Sequence, residues 1–220
     1  MRIRQLTVAA AAALLLTACG GGPLDGKTGP EVAAQAADAL EKAGAVHVKG
    51  TMDEGGESGE IDLQLQGKDV TGTITMSGVE LQLLSVDDAV YLQAPPEFWG
   101  QFGLPDEAAA MFDGKWVIVP SEAVAQFQEL SLDGIINSLR KPGSKVKDEV
   151  KSKESDGKSV VVIEQEDGST LSVLDEDPAY PVELTNKGDS AGTMTFSRYG
   201  EKESIEAPAD ALDLEQLAAG

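Results

Sequence analysis

Few side chains in this sequence could do covalent or acid–base chemistry. The 220 residues contain one cysteine, Cys19, and one histidine, His47, beside 38 acids. A lone cysteine allows no internal disulfide and no cysteine-rich zinc site. A lone histidine leaves little for metal binding or proton transfer. The sequence has neither a nucleophile elbow nor a phosphate-binding loop. It therefore predicts a protein that is not an enzyme and holds no metal or other cofactor.

The acidic residues are the remaining candidates for a site. Ca²⁺ needs several converging oxygens, and the runs Asp175-Glu176-Asp177 and Asp53-Glu54 with Glu57 could supply them. Both runs lack EF-hand spacing and fall at predicted turns, which favours a solvated acidic surface. The net charge of −21 repels phosphate and excludes a nucleic-acid partner. His47 begins an alternating stretch, so we expect a half-exposed histidine on a strand.

Cys19 stands at a distinctive place in the chain. Arg2 and Arg4 precede an apolar run over residues 6–16 that only Thr7 interrupts. Such a run is shorter than the roughly 20 residues that span a bilayer. It is typical of the apolar region of a secretory signal peptide, and small residues then lead to Cys19. The sequence therefore predicts export.

The segment Leu16-Thr17-Ala18-Cys19 resembles the lipobox of bacterial lipoproteins. In that family the cysteine sulfur takes a diacylglyceryl group, the chain is cut before the cysteine, and the new amino group can be acylated. Two acyl chains anchor a protein stably, whereas one holds it only marginally. The alternative is an ordinary signal peptide cut near Ala18, which leaves Cys19 as a thiol.

The lipobox resemblance implies a signal peptide over residues 1–18 and an anchor on the outer face of the cell membrane. Removal of Arg2 and Arg4 with no acids would take the net charge from −21 to −23. The glycine-rich residues 19–29 predict a flexible tether. Residues 30–220 then form one domain.

The spacing of apolar residues divides the domain into five parts. A helix is predicted to begin at Pro30, with an alanine-rich apolar stripe that ends near Leu40. Five hairpin-linked strands follow over residues 46–92, where apolar and polar residues alternate. Residues 95–140 predict short helices and one strand. Five more strands follow over residues 146–199, and a short acidic helix is predicted over residues 210–217.

The eleven predicted strands would form a large antiparallel sheet whose apolar face must be covered. Six of the ten aromatic residues lie in the 95–140 insert. The simplest solution is an α+β fold in which a curved sheet wraps round a helical plug. Leu84 interrupts the polar face of the sheet, which suggests contact with a partner.

Three segments carry a resemblance to a known family. They are Val46-His47-Val48-Lys49-Gly50, Val90-Tyr91-Leu92-Gln93-Ala94-Pro95 running into Glu97-Phe98-Trp99, and Gly114-Lys115-Trp116-Val117-Ile118-Val119-Pro120. With the order of elements, they resemble the LolA/LolB-like half-barrel, and more closely the LppX/LprG-type lipoproteins of high-GC Gram-positive bacteria. The resemblance implies a half-barrel of about eleven strands that encloses an apolar cavity for acyl chains. It also implies a non-enzymatic protein that carries or presents lipids.

The candidate cavity lining consists of inward strand residues and residues of the insert. The residues are Leu63, Leu65, Ile74, Met76, Leu81, Leu83, Phe98, Trp99, Phe102, Met111, Phe112, Trp116 and Phe127. The alternative is that they interlock as a dry core. Likewise, Phe98, Trp99 and Phe102 could form a hinged lid or a fixed plug.

Two functions from different classes follow from these observations. The first is a membrane-anchored lipoprotein whose ligand is a lipid or an acylated molecule. The second is a non-enzymatic envelope interaction protein with a filled barrel and a protein partner. In either case we expect a monomer whose only prosthetic groups are the diacylglyceryl group and the possible N-acyl group on Cys19.

Overall fold

The computed structural model describes residues 21–54, 57–101, 105–120, 124, 127, 129–188 and 190–213. The helices are α1 (Gly29–Ala43), α2 (Pro96–Gln101), α3 (Asp106–Ala109), which continues as a 3-10 turn (Ala110–Phe112), and α4 (Leu132–Arg140). The strands are β1 (Val46–Glu54), β2 (Glu57–Gln66), β3 (Asp69–Met76), β4 (Val79–Val86), β5 (Ala89–Gln93), β6 (Trp116–Ile118), β7 (Val146–Ser155), β8 (Lys158–Gln165), β9 (Thr170–Leu174), β10 (Pro181–Asn186), β11 (Ser190–Ser197) and β12 (Leu212–Asp213).

Helix α1 has the predicted start and stop signals. The carboxylate of Glu31 accepts hydrogen bonds from the backbone N–H and the hydroxyl of Thr28, at 2.8 and 2.9 Å. These bonds lower the pKa of Glu31 and satisfy an N–H at the start of the helix. Gly44 ends the helix in the left-handed region at φ 66°. The alanine-rich stripe is buried, as its spacing predicts.

All twelve strands belong to one sheet, in the order β12-β6-β5-β4-β3-β2-β1-β11-β10-β9-β8-β7. Each predicted set of five strands forms an antiparallel meander, and β1 pairs with β11 to join the two. Val48 lies opposite Leu63 on one side and Phe196 on the other, so inward residues of both meanders share one face. The fold class and the eleven predicted strands are confirmed.

Glycines allow the two meanders to approach closely where they meet. A Cβ on Gly50 would stand 2.3 Å from the carbonyl oxygen of Thr193. A Cβ on Gly192 would stand 2.2 Å from the carbonyl oxygen of Thr51. Side chains at these positions would push β1 and β11 apart, so the glycines let the sheet bend round its interior.

The helices cover the concave face of the sheet. Helix α1 packs on β7, β8 and β9, and α4 packs on α1. The Arg140 guanidinium at the end of α4 donates to Asp38 and Glu41 of α1, at 2.9 and 2.7 Å. No helix in the described part of the chain is long and apolar enough to span a membrane. The predicted helix over residues 121–128 lies mostly outside the described residues, although Val124 and Phe127 are helical.

The C-terminal strap, residues 198–213, crosses the convex face of the sheet. Gln64 and Gln66 of β2 donate to the carbonyl oxygens of Glu201 and Glu203, at 2.7 and 3.0 Å. The strap ends as β12, which pairs in parallel with β6. The prediction of a helix beginning near Asp210 is therefore wrong for residues 210–213, because those residues bond to a sheet edge instead. Residues 214–217 lie outside the described part.

The strap also explains Leu84. Leu84, Val86 and Tyr91 form a second apolar cluster on the convex face, against which Ile205 and Ala211 of the strap pack. Leu84 is 7% exposed. Its apolar side chain on the convex face is therefore covered by the protein's own chain, and the suggestion of a partner at this position is not needed.

The described part of the predicted tether is attached to the domain. Leu24 is completely buried and belongs to the inner core. Its backbone N–H donates to the Asp175 carboxylate at 2.9 Å. The part of the predicted tether from Leu24 onward is thus bonded to the domain, while the signal peptide and Cys19 lie outside the described residues.

We predict that Gly50→Ala lowers the free energy of unfolding by about 1–3 kcal/mol, because the added Cβ overlaps backbone atoms of β11. Gly100→Ala is the matched control, since nothing lies within 4 Å of its added Cβ. That change in α2 should be neutral or stabilise by about 0.4–1 kcal/mol. Urea unfolding measures both values. Equal values for the two variants would contradict the close approach of β1 and β11.

Candidate functional site

Five of the six predicted strand residues lie together on the concave face. Each is at most 6% exposed, and all belong to one apolar cluster shared with α1 and α4. These residues are Leu63, Leu65, Ile74, Leu81 and Leu83. The period-2 alternation that predicted their direction is therefore correct.

The aromatic plug consists of Phe98, Trp99 and Phe112, which the insert places against this face. The Phe98 and Trp99 rings meet edge to face at 5.1 Å, and the Trp99 and Phe112 centroids lie 5.5 Å apart. The indole N–H of Trp99 donates to the carbonyl oxygen of Ala94 at 3.2 Å. This bond satisfies the buried polar atom within the same short segment. Phe127 is partly buried against the same cluster, and Phe102 lies outside the described residues.

Two predicted lining residues are exposed. Met76 is 43% exposed and Met111 is 69% exposed. Met76 is the last residue of β3, just before the turn at Ser77, where the strand end reaches solvent. Met111 lies in the 3-10 turn next to Phe112, on its solvent side. Their assignment to the interior is wrong: Met76 follows the inward alternation of β3 but stands at the end of the strand, and Met111 lies in a turn.

Trp116 lies on the convex face. Val117 of β6 is completely buried in the inner cluster, so its neighbour Trp116 must point to the opposite side. There Trp116 packs beside Leu84 and Tyr91. The prediction that it faces the interior is wrong, and the alternation Trp116-Val117-Ile118 would have corrected it.

Other inward residues were missed by the sequence prediction of the site. Leu92 of β5 and Val117 of β6 extend the apolar face on one side, and Val161, Leu171 and Phe196 extend it in the second meander. Alternation signals were present for Leu92 and Val117. The continuous apolar run of β8 has no alternation, so only the sheet register identifies its inward members.

The two halves of the concave face have different covers. Among the described residues, the extensive contacts between a helix and the sheet are those of α1 with β7, β8 and β9. The small side chains of the alanines on α1 allow the helix to lie close to these strands. The apolar cavity that remains beside α1 and α4 has a volume of about 20 Å³. That volume holds about one water molecule. On the side of β2–β6, the aromatic plug on its short helices joins the same apolar cluster. The start of α4 also lies there, since the Asp133 N–H donates to the carbonyl oxygen of Gly67 in the β2–β3 turn at 3.2 Å.

Charge is confined to the outside of the described structure. The buried polar residues among those described are Gln64, Ser131, Ser169 and Ser172, and none is charged. On the convex face, the Asp62 carboxylate contacts Lys49 at 2.7 Å and His47 at 2.6 Å. The hydrogen bond from Lys49 lowers the pKa of Asp62. His47 is a partly exposed strand residue that shares a hydrogen bond with Asp62, as expected from its position.

Within the described ranges, no group of three or more His, Cys, Asp or Glu residues is placed to hold a metal ion. The Asp175 carboxylate instead accepts the backbone N–H of Leu24. What the concave face offers is an uncharged, apolar surface. Such a surface discriminates by shape and hydrophobicity and suits an alkyl chain.

Comparison with known proteins finds solved structures with a similar fold. No family model matches the chain, and no curated protein matches it. Among solved structures, the Mycobacterium tuberculosis lipoprotein LppX matches 80% of this chain and 99% of its own, with 14% identity and a TM-score of 0.52.

Two other matches are weaker. An uncharacterized conserved protein from Thermus thermophilus covers 80% of this chain and 94% of its own, at 11% identity and a TM-score of 0.40. A DUF1329 family protein from Desulfovibrio piger covers 80% and 95%, at 13% identity and a TM-score of 0.31. The likeness to LppX concerns the fold and confirms the resemblance found in the sequence: the chain has the LppX-like α+β half-barrel fold.

Proposed function

We propose that this protein is an exported lipoprotein, anchored by acyl groups on Cys19 to the outer face of the cell membrane. It binds the alkyl chain of a lipid or acylated ligand between the concave face and the aromatic plug. It carries or presents that ligand within the envelope and catalyses no reaction. The observation that carries the proposal is the uncharged, apolar half of the sheet over β2–β6, whose cover is a set of short helices.

The plug is built so that it can move as a unit. Its helices have six and four residues, too few for stability on their own. Their packing in the core is through side chains, with Trp99 and Phe112 only 5% and 6% exposed. The bond from Trp99 to Ala94 spans only five residues. Displacing the segment therefore breaks side-chain packing on the sheet and leaves its internal bonds intact.

The free energies of burying the alkyl chain and of exposing the plug set a minimum length for the alkyl chain. Each buried methylene contributes about 0.8 kcal/mol, so a ten-carbon segment contributes about 8 kcal/mol. Moving three aromatic side chains toward water costs about 1.5–3 kcal/mol each, or roughly 5–9 kcal/mol in total. A short alkyl chain therefore barely offsets the displaced plug. A chain of about sixteen carbons, which contributes about 13 kcal/mol, does so with a surplus.

The second candidate is an envelope interaction protein with a filled barrel. The near-complete burial of Leu63, Leu65 and Leu83, each 1% exposed, favours it. In that case the plug is a permanent part of the core, and the acidic outer face binds a partner protein. The two candidates differ in one property, which is whether the plug yields to an alkyl chain.

Tryptophan fluorescence distinguishes them, because the chain has one tryptophan on each face of the sheet. In the Trp116→Phe variant, Trp99 is the only tryptophan. We expect a bromine-substituted long-chain fatty acid to quench its emission, since bromine quenches on contact and the ligand would lie against the plug.

Trp99→Phe is the matched control, in which Trp116 reports from the convex face. Its emission should stay unchanged while the variant still takes up a fluorescent acyl probe. Quenching of Trp116 as strong as that of Trp99 would contradict the proposed binding face. Failure of the Trp116→Phe variant to take up any acyl probe would support the filled barrel.

We also predict a steep dependence on chain length. Fatty acids of eight, twelve, sixteen and eighteen carbons should compete with the fluorescent probe with affinities that rise along the series. The eight-carbon acid should bind weakly or not at all, because it cannot offset displacement of the plug. Equal competition by the eight- and sixteen-carbon acids would contradict binding of the alkyl chain inside the fold.

Cys19→Ala tests the anchor. The variant should fold normally, because the bonded residues of the domain begin at Gly22, and it should be recovered in the soluble fraction rather than with membranes. Fractionation measures this, with a mass spectrum that shows whether residues 1–18 have been removed. A variant that has lost residues 1–18 and still stays with the membrane would contradict anchoring through Cys19.

A further inference from the structure

The chain that leads to Cys19 leaves the domain at a defined point. Leu24 is completely buried in the inner core, and its N–H is bonded to Asp175 at 2.9 Å. Two turn bonds hold the neighbouring residues, from Asp25 N–H to the Gly22 carbonyl at 3.0 Å and from Lys27 N–H to the Leu24 carbonyl at 3.2 Å. The segment from Gly22 onward is therefore part of the domain.

Gly22 itself lies against Asp175. A Cβ on Gly22 would stand 2.2 Å from the carboxyl carbon of Asp175. Asp175 follows β9, and its N–H bonds to the carbonyl oxygen of Ser159 at the start of β8 at 3.0 Å. The chain that leads to Cys19 therefore leaves the domain at one end of the sheet, where β8 begins and the loop after β9 lies.

Chain geometry then limits the distance to the anchor. Three Cα–Cα steps lead from Gly22 to Cys19, and an extended chain covers at most about 3.6 Å per step. The Cα of Cys19 consequently lies within about 11 Å of the Cα of Gly22. A tether this short cannot let the domain turn over on a membrane surface.

We propose that the sheet end formed by the β7–β8 turn and the loop Asp175–Tyr180 is the surface that faces the lipid bilayer. This inference rests on acylation of Cys19, which is part of the proposed function. It adds the orientation of the domain: the starts of β8 and β10 point toward the headgroups, and the opposite turns, such as that at Gly168, point away.

The charges at this end define the lipid surface it fits. Asp25, Asp175, Glu176 and Asp177 are acidic, and Lys158 is the basic residue that contacts one of them, 3.9 Å from Glu176. An anionic membrane surface would repel these acidic side chains. This end fits a zwitterionic surface and is repelled by an anionic one, so the domain stands above the headgroups instead of inserting.

Fluorescence energy transfer from a dye on the protein to labelled lipids in the membrane measures the orientation of the domain. The test uses the acylated protein on phosphatidylcholine vesicles that contain a rhodamine-labelled lipid as acceptor. Glu176→Cys places a donor dye at the proposed near end, and Glu166→Cys, which removes the same charge, places one at the far end of β8. The two ends of β8 lie about 20 Å apart. The thioether at Cys19 cannot react, so the introduced thiol alone is labelled.

We expect transfer from position 176 to exceed transfer from position 166 several-fold. A flexible insert of fifteen Gly and Ser residues between Gly20 and Gly21 adds a span of about 21 Å and should largely remove the difference. Equal transfer from both positions in an acylated protein would overturn the orientation alone. A mass spectrum without acyl groups on Cys19 would overturn both the anchor and the orientation. Loss of acyl-probe binding bears on the carrier function only.

Discussion

The pairing of β1 with β11 is the contact on which the rest of the structure depends. It joins two meanders, each with one apolar face, into a single sheet whose apolar faces lie on the same side. Gly50 and Gly192 make the pairing possible, because side chains there would overlap the neighbouring backbone. Without this contact the helices would have two small faces to cover instead of one concave surface, and neither meander could surround a ligand.

The cover of that surface differs between its two halves. Over β7–β9, the alanines of α1 permit close packing, and the ion pairs of Arg140 fasten α4 to α1. Over β2–β6, large aromatic side chains on short helices cover the sheet. The C-terminal strap braces the convex side of the same strands through Gln64 and Gln66. The proposed uptake of an alkyl chain requires that the plug, and not α1, move away from the sheet.

Much of this architecture could be predicted from the sequence, because period-2 alternation and the signals at the ends of α1 are local. Alternation placed Leu63, Leu65 and Leu83 correctly, and it would have placed Trp116 had it been applied to β6. The path of residues 198–213 could not be predicted. It depends on an apolar patch round Leu84 and on a sheet edge at β6, both of which exist only after folding. Burial of Leu24 is likewise a tertiary effect, since a single leucine among glycines has no local signature.

The central claim is that the concave face accepts an alkyl chain in place of the plug. The most direct test is a native mass spectrum of residues 20–220, expressed without the anchor in a bacterial host and followed by solvent extraction. The account predicts reproducible adducts with the mass of long-chain lipids, recovered in the extract. A protein of bare mass that also fails to take up a fluorescent acyl probe would contradict the account and identify the barrel as filled.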